Sequence, residues 1–194
     1  RSDAKQGKFI FEHKSTLNLP EIKSMVKVLP LVDSFMEYYG FSKEKAMEAV
    51  SFYREYFSVK GLFENNMYEG VRELLSGLRE KGYKLVVATS KPDIFSVKIL
   101  EHFDLAKYFD MICGASTDFS RNSKEAVIAH LLEECGAQDN PIMVGDTAYD
   151  VIGAKEHGIP TIGVDWGYGR NEDMERAGAA AIAYSVEELY ELLK

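Results

Sequence analysis

Residues 142–150, Ile-Met-Val-Gly-Asp-Thr-Ala-Tyr-Asp, indicate both the fold and its chemistry. The apolar run Ile142–Val144 is short enough for a buried strand and stops at a glycine, after which a helical stretch begins at Thr147. Asp146 falls on the connecting loop and Asp150 one turn into the helix, so this spacing places both carboxylates on one side of the helix start. The pair is explained either by helix capping or by a Mg²⁺ site, because hard cations select oxygen ligands.

The same strand-then-helix pattern recurs throughout the chain after Gly82. Short apolar runs predict strands at Leu85–Ala88, Met111–Cys113, Ile142–Val144, Thr161–Val164 and Ala179–Ala183. Helical stretches are predicted at Asp93–Phe103, Ser123–Cys135 and Thr147–His157, with a last helix that begins at Ser185. This alternation predicts an α/β fold, in which a Rossmann-like, mostly parallel sheet carries helices on both faces.

The segment before Gly82 is helical instead. Helices are predicted at Glu21–Leu29, Leu31–Tyr39, Ser42–Lys60 and Glu69–Lys81. Each of them ends at a glycine or a proline, where a helix is expected to stop. The chain therefore has two unlike parts.

Composition narrows the possible partners. The formal net charge of -8 and the pI near 5.1 argue against nucleic acid or an anionic membrane as the main partner, since both need a basic surface. The sequence has no apolar run of the length that a membrane span needs. Cys113 and Cys135 form no Cys-x-x-Cys pair, so neither a zinc site nor a disulfide framework is predicted, and a cytoplasmic location is expected.

Polar residues follow the predicted strands at the edge where open parallel sheets bind ligands. Thr89 and Ser90 come directly after Leu85–Ala88 and precede a helix, so they are explained equally well by anion binding or by capping. Lys124 stands at a helix start, where the helix dipole disfavours a cation. Taken alone it is better explained as a solvated surface lysine, and only together with the other polar residues does it suggest a side chain that reaches a phosphate and a carboxylate. Arg121, three residues earlier, could meet a substrate carboxylate or phosphate.

Thr89, Lys124 and Gly145-Asp146-x-x-x-Asp150 resemble, in type, order and spacing, motifs two, three and four of the haloacid dehalogenase superfamily. The sequence is also similar to that of the phosphoglycolate phosphatase and bacterial 5'-nucleotidase-like members of this superfamily at residues 31–41, 61–65, 88–92 and 163–169. The resemblance implies a Rossmann-like core at 1–18 and 83–194 with an inserted α-helical cap at 19–82.

The same resemblance implies a magnesium-dependent phosphomonoester hydrolase that acts on a small phosphorylated metabolite. Thr89 and Lys124 would be catalytic, and Ser90 and Arg121 would contact the substrate. Asp146 and Asp150 would hold the metal.

The family's nucleophile lies in an Asp-x-Asp-Gly-Thr motif, which these 194 residues do not contain. In one alignment Lys8–Phe11 is the first strand, Glu12 replaces the nucleophile and Lys14 the general acid. Glutamate is one methylene too long, which would misplace the attacking oxygen.

In a second alignment Ser2–Ala4 resembles the residues that follow the motif, and one face of the first cap helix is formed by Phe9, Ile10, His13 and Leu17. The first alignment is favoured slightly, because a folded domain needs that strand. Neither alignment supplies the nucleophile, so these residues belong either to a degenerate family member or to an incomplete version of an active one. Hydrolysis is expected to be impaired, and a non-catalytic domain that binds a phosphorylated ligand or another protein is the alternative. The sequence leaves the oligomeric state open.

Overall fold

The computed structural model of the protein describes residues 11–12, 31–116, 120–121, 123–136 and 140–194. Its strands are β1 (Phe11–Glu12), β2 (Asn66–Met67), β3 (Val86–Pro92), β4 (Met111–Ala115), β5 (Met143–Gly145), β6 (Thr161–Val164) and β7 (Ala181–Ala183). Its helices are α1 (Leu31–Tyr39), α2 (Lys43–Val59), α3 (Val71–Glu80), α4 (Asp93–His102), α5 (Lys124–Cys135), α6 (Ala148–Lys155), α7 (Asn171–Ala177) and α8 (Val186–Leu192). The helix predicted at 21–29 lies outside the described residues.

The chain divides into two units, with the boundary after Asn66. The described part of the first unit consists of α1 and α2, followed by a 3-10 turn at Gly61–Phe63. Its aromatic side chains pack on one another: the Phe35 and Phe41 rings stack with their centroids 6.0 Å apart.

The second unit contains the parallel strands. β3 pairs with β4, and β6 lies between β5 and β7, all in parallel. Among the described strands, none is hydrogen-bonded to both β3 and β5, so the strands form two separate ladders. The two-residue strands β1 and β2 pair with each other.

Helices cover both faces of these strands. On one face Ile162 and Val164 of β6 pack in a buried cluster with Leu74 of α3 and Leu189 of α8. On the other face Gly163 lies against α7, where an added Cβ would meet the Met174 sulfur at 3.0 Å. Alternate residues of one strand thus face different helices, and the predicted α/β class is confirmed.

The unit boundary lies ahead of the predicted domain boundary at residue 82. Leu74 and Leu78 of α3 pack with Ile162 and Val164, so this helix covers the strands of the second unit. The sequence predicted this helix, at Glu69–Lys81, but not the strands that it packs against.

Local sequence explains most helix ends. Ser42, Ser123 and Ser185 each accept a hydrogen bond from the backbone N–H three residues on, which satisfies a free donor of the first turn. Gly178 ends α7 in the left-handed conformation, at φ 99°. Within the described residues, no helix combines the length and apolar character needed to cross a bilayer.

Candidate functional site

A buried lysine–aspartate pair lies at the carboxyl end of the parallel strands. The Lys124 Nζ atom is 3.0 Å from Asp150 Oδ1, and the side chains are 5% and 1% exposed. The same ammonium donates to the Ala88 carbonyl at 2.6 Å. α5 and α6 approach closely because α6 has Gly153 there: an added Cβ would lie 2.8 Å from Lys124 Cγ. The unfavourable lysine position noted in the sequence is therefore explained by a specific carboxylate partner.

Asp150 is held on both of its oxygens. While Oδ1 faces Lys124, Oδ2 accepts from the Thr147 backbone N–H at 3.0 Å and from the Thr147 hydroxyl at 2.9 Å. These contacts form a capping box at the start of α6. The capping explanation of Asp150 is confirmed, and the carboxylate is fixed in orientation. Its predicted role as a metal ligand stays a prediction.

Asp146 lies on the loop that joins β5 to α6 and is packed by a glycine-rich loop. Its Oδ2 accepts from the Tyr168 N–H at 3.0 Å, and its carbonyl accepts from the Gly169 N–H at 3.0 Å. An added Cβ would lie 2.1 Å from Asp146 Cβ at Gly167 and 2.0 Å from its carbonyl oxygen at Gly169. The loop after β6 can approach Asp146 only because both positions are glycine.

The loop after β6 is itself anchored. The Tyr68 hydroxyl donates to the Trp166 carbonyl at 2.6 Å, and the two rings meet edge to face. Asn171 Nδ2 donates to Asp165 Oδ1 at 2.5 Å. These contacts anchor a loop that contains two glycines, Gly167 and Gly169, beside Asp146.

Thr89 lies inside β3, which continues past its predicted end to Pro92. The Thr89 side chain is fully buried and its hydroxyl accepts from the Lys91 N–H at 3.1 Å. Ser90 is exposed. Burial lowers the pKa of Lys91 to about 8. Because Lys124 contacts the carbonyl of Ala88, Thr89 and the lysine–aspartate pair belong to one cluster.

Arg121 is engaged within the protein. Its Nη2 donates to Asp93 Oδ2 at 2.6 Å and its Nε to the Gly114 carbonyl at 2.8 Å. The substrate contact predicted for Arg121 stays a prediction. Sequence reasoning missed Asp93, its partner, because the two residues lie far apart in the chain.

Glu12, the predicted substitute for the nucleophile, belongs to β1, and its side chain lies outside the described residues. β1 pairs with β2 rather than with β3 or β5. The structure therefore does not bring Glu12 together with Thr89 and Lys124 through strand pairing.

The residues present fit a magnesium ion that is held by only one or two protein carboxylates. No group of three or more His, Cys, Asp or Glu side chains suited to a metal occurs in the described part of the chain. Mg²⁺ is commonly held by one or two carboxylates together with waters and substrate phosphate. Asp146 and Asp150 are the two carboxylates at this edge; Asp146 Oδ2 accepts from the Tyr168 N–H, and both Asp150 oxygens contact protein groups.

The fold and this cluster together define an α/β protein with a polar site at the carboxyl ends of its parallel strands. The family model of haloacid dehalogenase-like hydrolases matches residues 10–164. The chain belongs to this family, and the predicted membership is confirmed.

Relatives agree with that assignment. The chain is 42% identical over 146 residues to a 5'-nucleotidase from Pseudomonas aeruginosa, covering 75% of this chain and 66% of the relative. It is 40% identical over 153 residues to the tyrosine-protein kinase PtkA of Mycobacterium tuberculosis, covering 77% and 53%. A crystal structure of a predicted phosphatase from Clostridium acetobutylicum aligns with a TM-score of 0.80 and 48% identity, covering 91% and 82%. The chain thus spans about two thirds or less of the curated relatives' length.

Proposed function

We propose that the protein is a magnesium-dependent phosphomonoesterase that acts on a small phosphorylated metabolite. The observation that carries the proposal is the buried Lys124–Asp150 pair beside Thr89. Burying two charges is expensive, and such a pair is weak evidence for a purely stabilising role. A buried lysine that binds the Ala88 carbonyl, one residue before Thr89 at the carboxyl edge, suits the charge of a phosphoryl group.

Each residue receives a defined role in this proposal. The Thr89 hydroxyl donates to a phosphoryl oxygen, and the Lys124 ammonium neutralises the charge that develops during transfer. Asp150 keeps that ammonium in place through its 3.0 Å contact. Asp146 holds the cation, which supplies electrostatic stabilisation when bound. Ser90, exposed at the end of β3, contacts the substrate.

The relatives support phosphoryl chemistry but not one substrate. Proteins that match this chain at similar identity are named 5'-nucleotidase and tyrosine-protein kinase. The substrate therefore has to be sought among small phosphate monoesters in general. Hydrolysis by this polypeptide is proposed to be slow, because neither alignment of its N-terminal residues supplies the family's aspartate nucleophile; in the alignment with Lys8–Phe11 as the first strand, Glu12 takes that place.

The test is an assay of phosphate release from phosphoglycolate and a 5'-nucleotide, with and without Mg²⁺. We expect slow, Mg²⁺-dependent release that is abolished in Thr89→Val and Asp146→Asn. Asp173→Asn is the control, because Asp173 forms an exposed ion pair with Arg176 on α7 and should leave the rate unchanged. Release that is indifferent to Mg²⁺ and to Thr89→Val would contradict the proposal.

A second candidate is a non-catalytic domain that binds a phosphorylated ligand. The observation that favours it is the presence of the Thr89–Lys124 cluster in a sequence without Asp-x-Asp-Gly-Thr. Glu12→Asp combined with Lys14→Asp distinguishes the two. Activity gained only in this variant supports an impaired phosphatase, whereas phosphate binding without turnover in either protein supports the binding domain.

A further inference from the structure

Arg121 makes four hydrogen bonds in the loop between β4 and α5. Its guanidinium binds Asp93 Oδ2 at 2.6 Å and the Gly114 carbonyl at 2.8 Å. Its backbone N–H donates to the Ser116 hydroxyl at 3.0 Å, and its carbonyl accepts from the Ser116 N–H at 2.9 Å. The arginine is therefore fixed at both its backbone and its side chain, three residues before Lys124.

Asp93 completes the arrangement from the other side. It is the first residue of α4, immediately after β3, and its Oδ1 accepts from the Gly114 N–H. At Gly114 an added Cβ would lie 2.1 Å from the Lys91 carbonyl oxygen. The end of β3 thus lies directly on β4, and Asp93 and Arg121 join the segments that follow the two strands.

The same two segments are joined a second time through Lys124. β3 itself carries Ala88 and Thr89 and is followed directly by Asp93, whereas the segment after β4 carries Arg121 and leads to Lys124, the first residue of α5. Lys124 Nζ reaches back to the Ala88 carbonyl at 2.6 Å. The two cross-links close a ring, in which the Asp93–Arg121 pair limits how far Lys124 can move from Thr89.

The pair is suited to this task. The Arg121 and Asp93 side chains are 19% and 39% exposed, so the ion pair is partly shielded from solvent. The planar guanidinium binds a carboxylate and a carbonyl at once, in fixed directions that a lysine cannot reproduce.

We infer that Asp93 and Arg121 are positioning residues that set the separation between the Thr89 hydroxyl and the Lys124 ammonium. Neither needs to touch the substrate. This inference rests on the proposed function, because it assigns Thr89 and Lys124 to phosphate binding.

The chain offers a matched control at the opposite end of the β3–β4 pair. Arg79 Nη1 is 2.5 Å from Asp110 Oδ2, and Asp110 also accepts from the Leu85 N–H at 2.9 Å. This arginine–aspartate pair likewise joins a helix to the two strands, but at their amino ends. Arg79→Gln therefore removes a similar interaction far along the strands from Thr89 and Lys124.

The experiment measures inorganic phosphate binding by calorimetry, the thermal midpoint, and the ¹⁵N resonance of the Lys124 ammonium in Asp93→Asn, Arg121→Gln, Arg121→Lys and Arg79→Gln. We expect the three Asp93 and Arg121 variants to bind phosphate roughly tenfold more weakly and to shift the Lys124 resonance. Arg121→Lys should not rescue binding. Arg79→Gln should lower the thermal midpoint while leaving phosphate binding and the Lys124 resonance unchanged.

The inference would be overturned if the phosphate affinity and the Lys124 resonance both stay at their wild-type values in Asp93→Asn and Arg121→Gln. Asp93→Asn preserves the shape of the side chain, so this variant still tests the inference if the arginine variants do not fold. Absence of phosphate binding in the wild-type protein would instead contradict the proposed function. The Lys124 resonance then decides the inference alone: a shift in the Asp93 and Arg121 variants but not in Arg79→Gln supports it, and no shift overturns it.

Discussion

The two ends of the parallel strands in the second unit hold their charges differently. At the amino end the ion pair between Arg79 and Asp110 has both side chains 38% exposed. At the carboxyl end Lys124 and Asp150 are 5% and 1% exposed. Exposed pairs form at little cost and contribute little, whereas a buried pair must offset a large desolvation penalty. The carboxyl end therefore keeps an energetically costly buried ion pair, as expected of a site that acts on a ligand.

The largest expected effect comes from removing the buried cation. Lys124→Met should lower the free energy of unfolding by about 3–5 kcal/mol, because it leaves the Asp150 charge buried without its partner. Urea unfolding followed by circular dichroism measures the change. A loss below about 1 kcal/mol would mean that Asp150 behaves like the exposed acids of the amino end.

Lys91, a second lysine at the carboxyl end, is expected to affect stability in a pH-dependent way. Burial lowers its pKa from 10.5 to about 8, so the charged lysine destabilises the folded state at neutral pH. Lys91→Met should therefore be more stable than the wild type, by at most about 3 kcal/mol, at and below pH 8. The advantage should shrink as the pH rises from 8 to 10.5, because the folded wild type releases its proton first in this window.

Unfolding free energies of both proteins at pH 7, 9 and 10.5 check this sign. A constant difference across the range would show that Lys91 is solvated. The matched control is Lys84→Met, which removes an exposed lysine just before β3.

Close packing at the carboxyl end predicts the third effect. Gly169→Ala places a Cβ about 2.0 Å from the Asp146 carbonyl oxygen and should cost roughly 1–3 kcal/mol of stability. Gly158, before β6 at the amino end, has no atom within 4 Å of an added Cβ, although its φ of +68° disfavours alanine. We expect Gly158→Ala to lower the thermal midpoint without affecting Mg²⁺ binding, and Gly169→Ala to weaken that binding as well. Equal Mg²⁺ affinities in the two variants would contradict the assignment of Asp146.

The smallest effect is expected at the exposed amino-end pair. Arg79→Gln should change the free energy of unfolding by less than about 1 kcal/mol, since both partners are solvated. The small difference should fall further in high salt. A salt-independent loss larger than that of Lys124→Met would reverse the comparison between the two ends.

Much of this fold could be predicted from the pattern of apolar residues. The helix bounds Leu31–Tyr39 and the strand bounds Thr161–Val164 agree with the prediction, because each segment is bordered by glycine or proline. α7 was not predicted. It has only seven residues and one buried side chain, Met174, so periodicity gives no signal. Its acidic first turn and Gly178 were the available cues.

The same distinction holds for the candidate site: short-range features could be predicted, whereas contacts between distant elements could not. Local spacing predicted Thr89, Asp146 and Asp150 as candidate site residues, and the Thr147–Asp150 cap is a short-range feature of that spacing. The partners of Lys124 and Arg121 could not be predicted, because each depends on packing between elements distant in sequence. The extension of β3 to Pro92 was missed for a related reason: polar residues end the apolar run while the backbone continues along β4.

The separation of the described strands into two ladders has a consequence for how the second unit opens. Lys124 contacts the Ala88 carbonyl on the β3 side and Asp150 after β5, so one side chain ties together two backbone networks. Amide protons of β4 and β6 should therefore exchange with solvent through a shared opening event in the native protein. Without that side chain the two networks should open separately, each with its own exchange free energy.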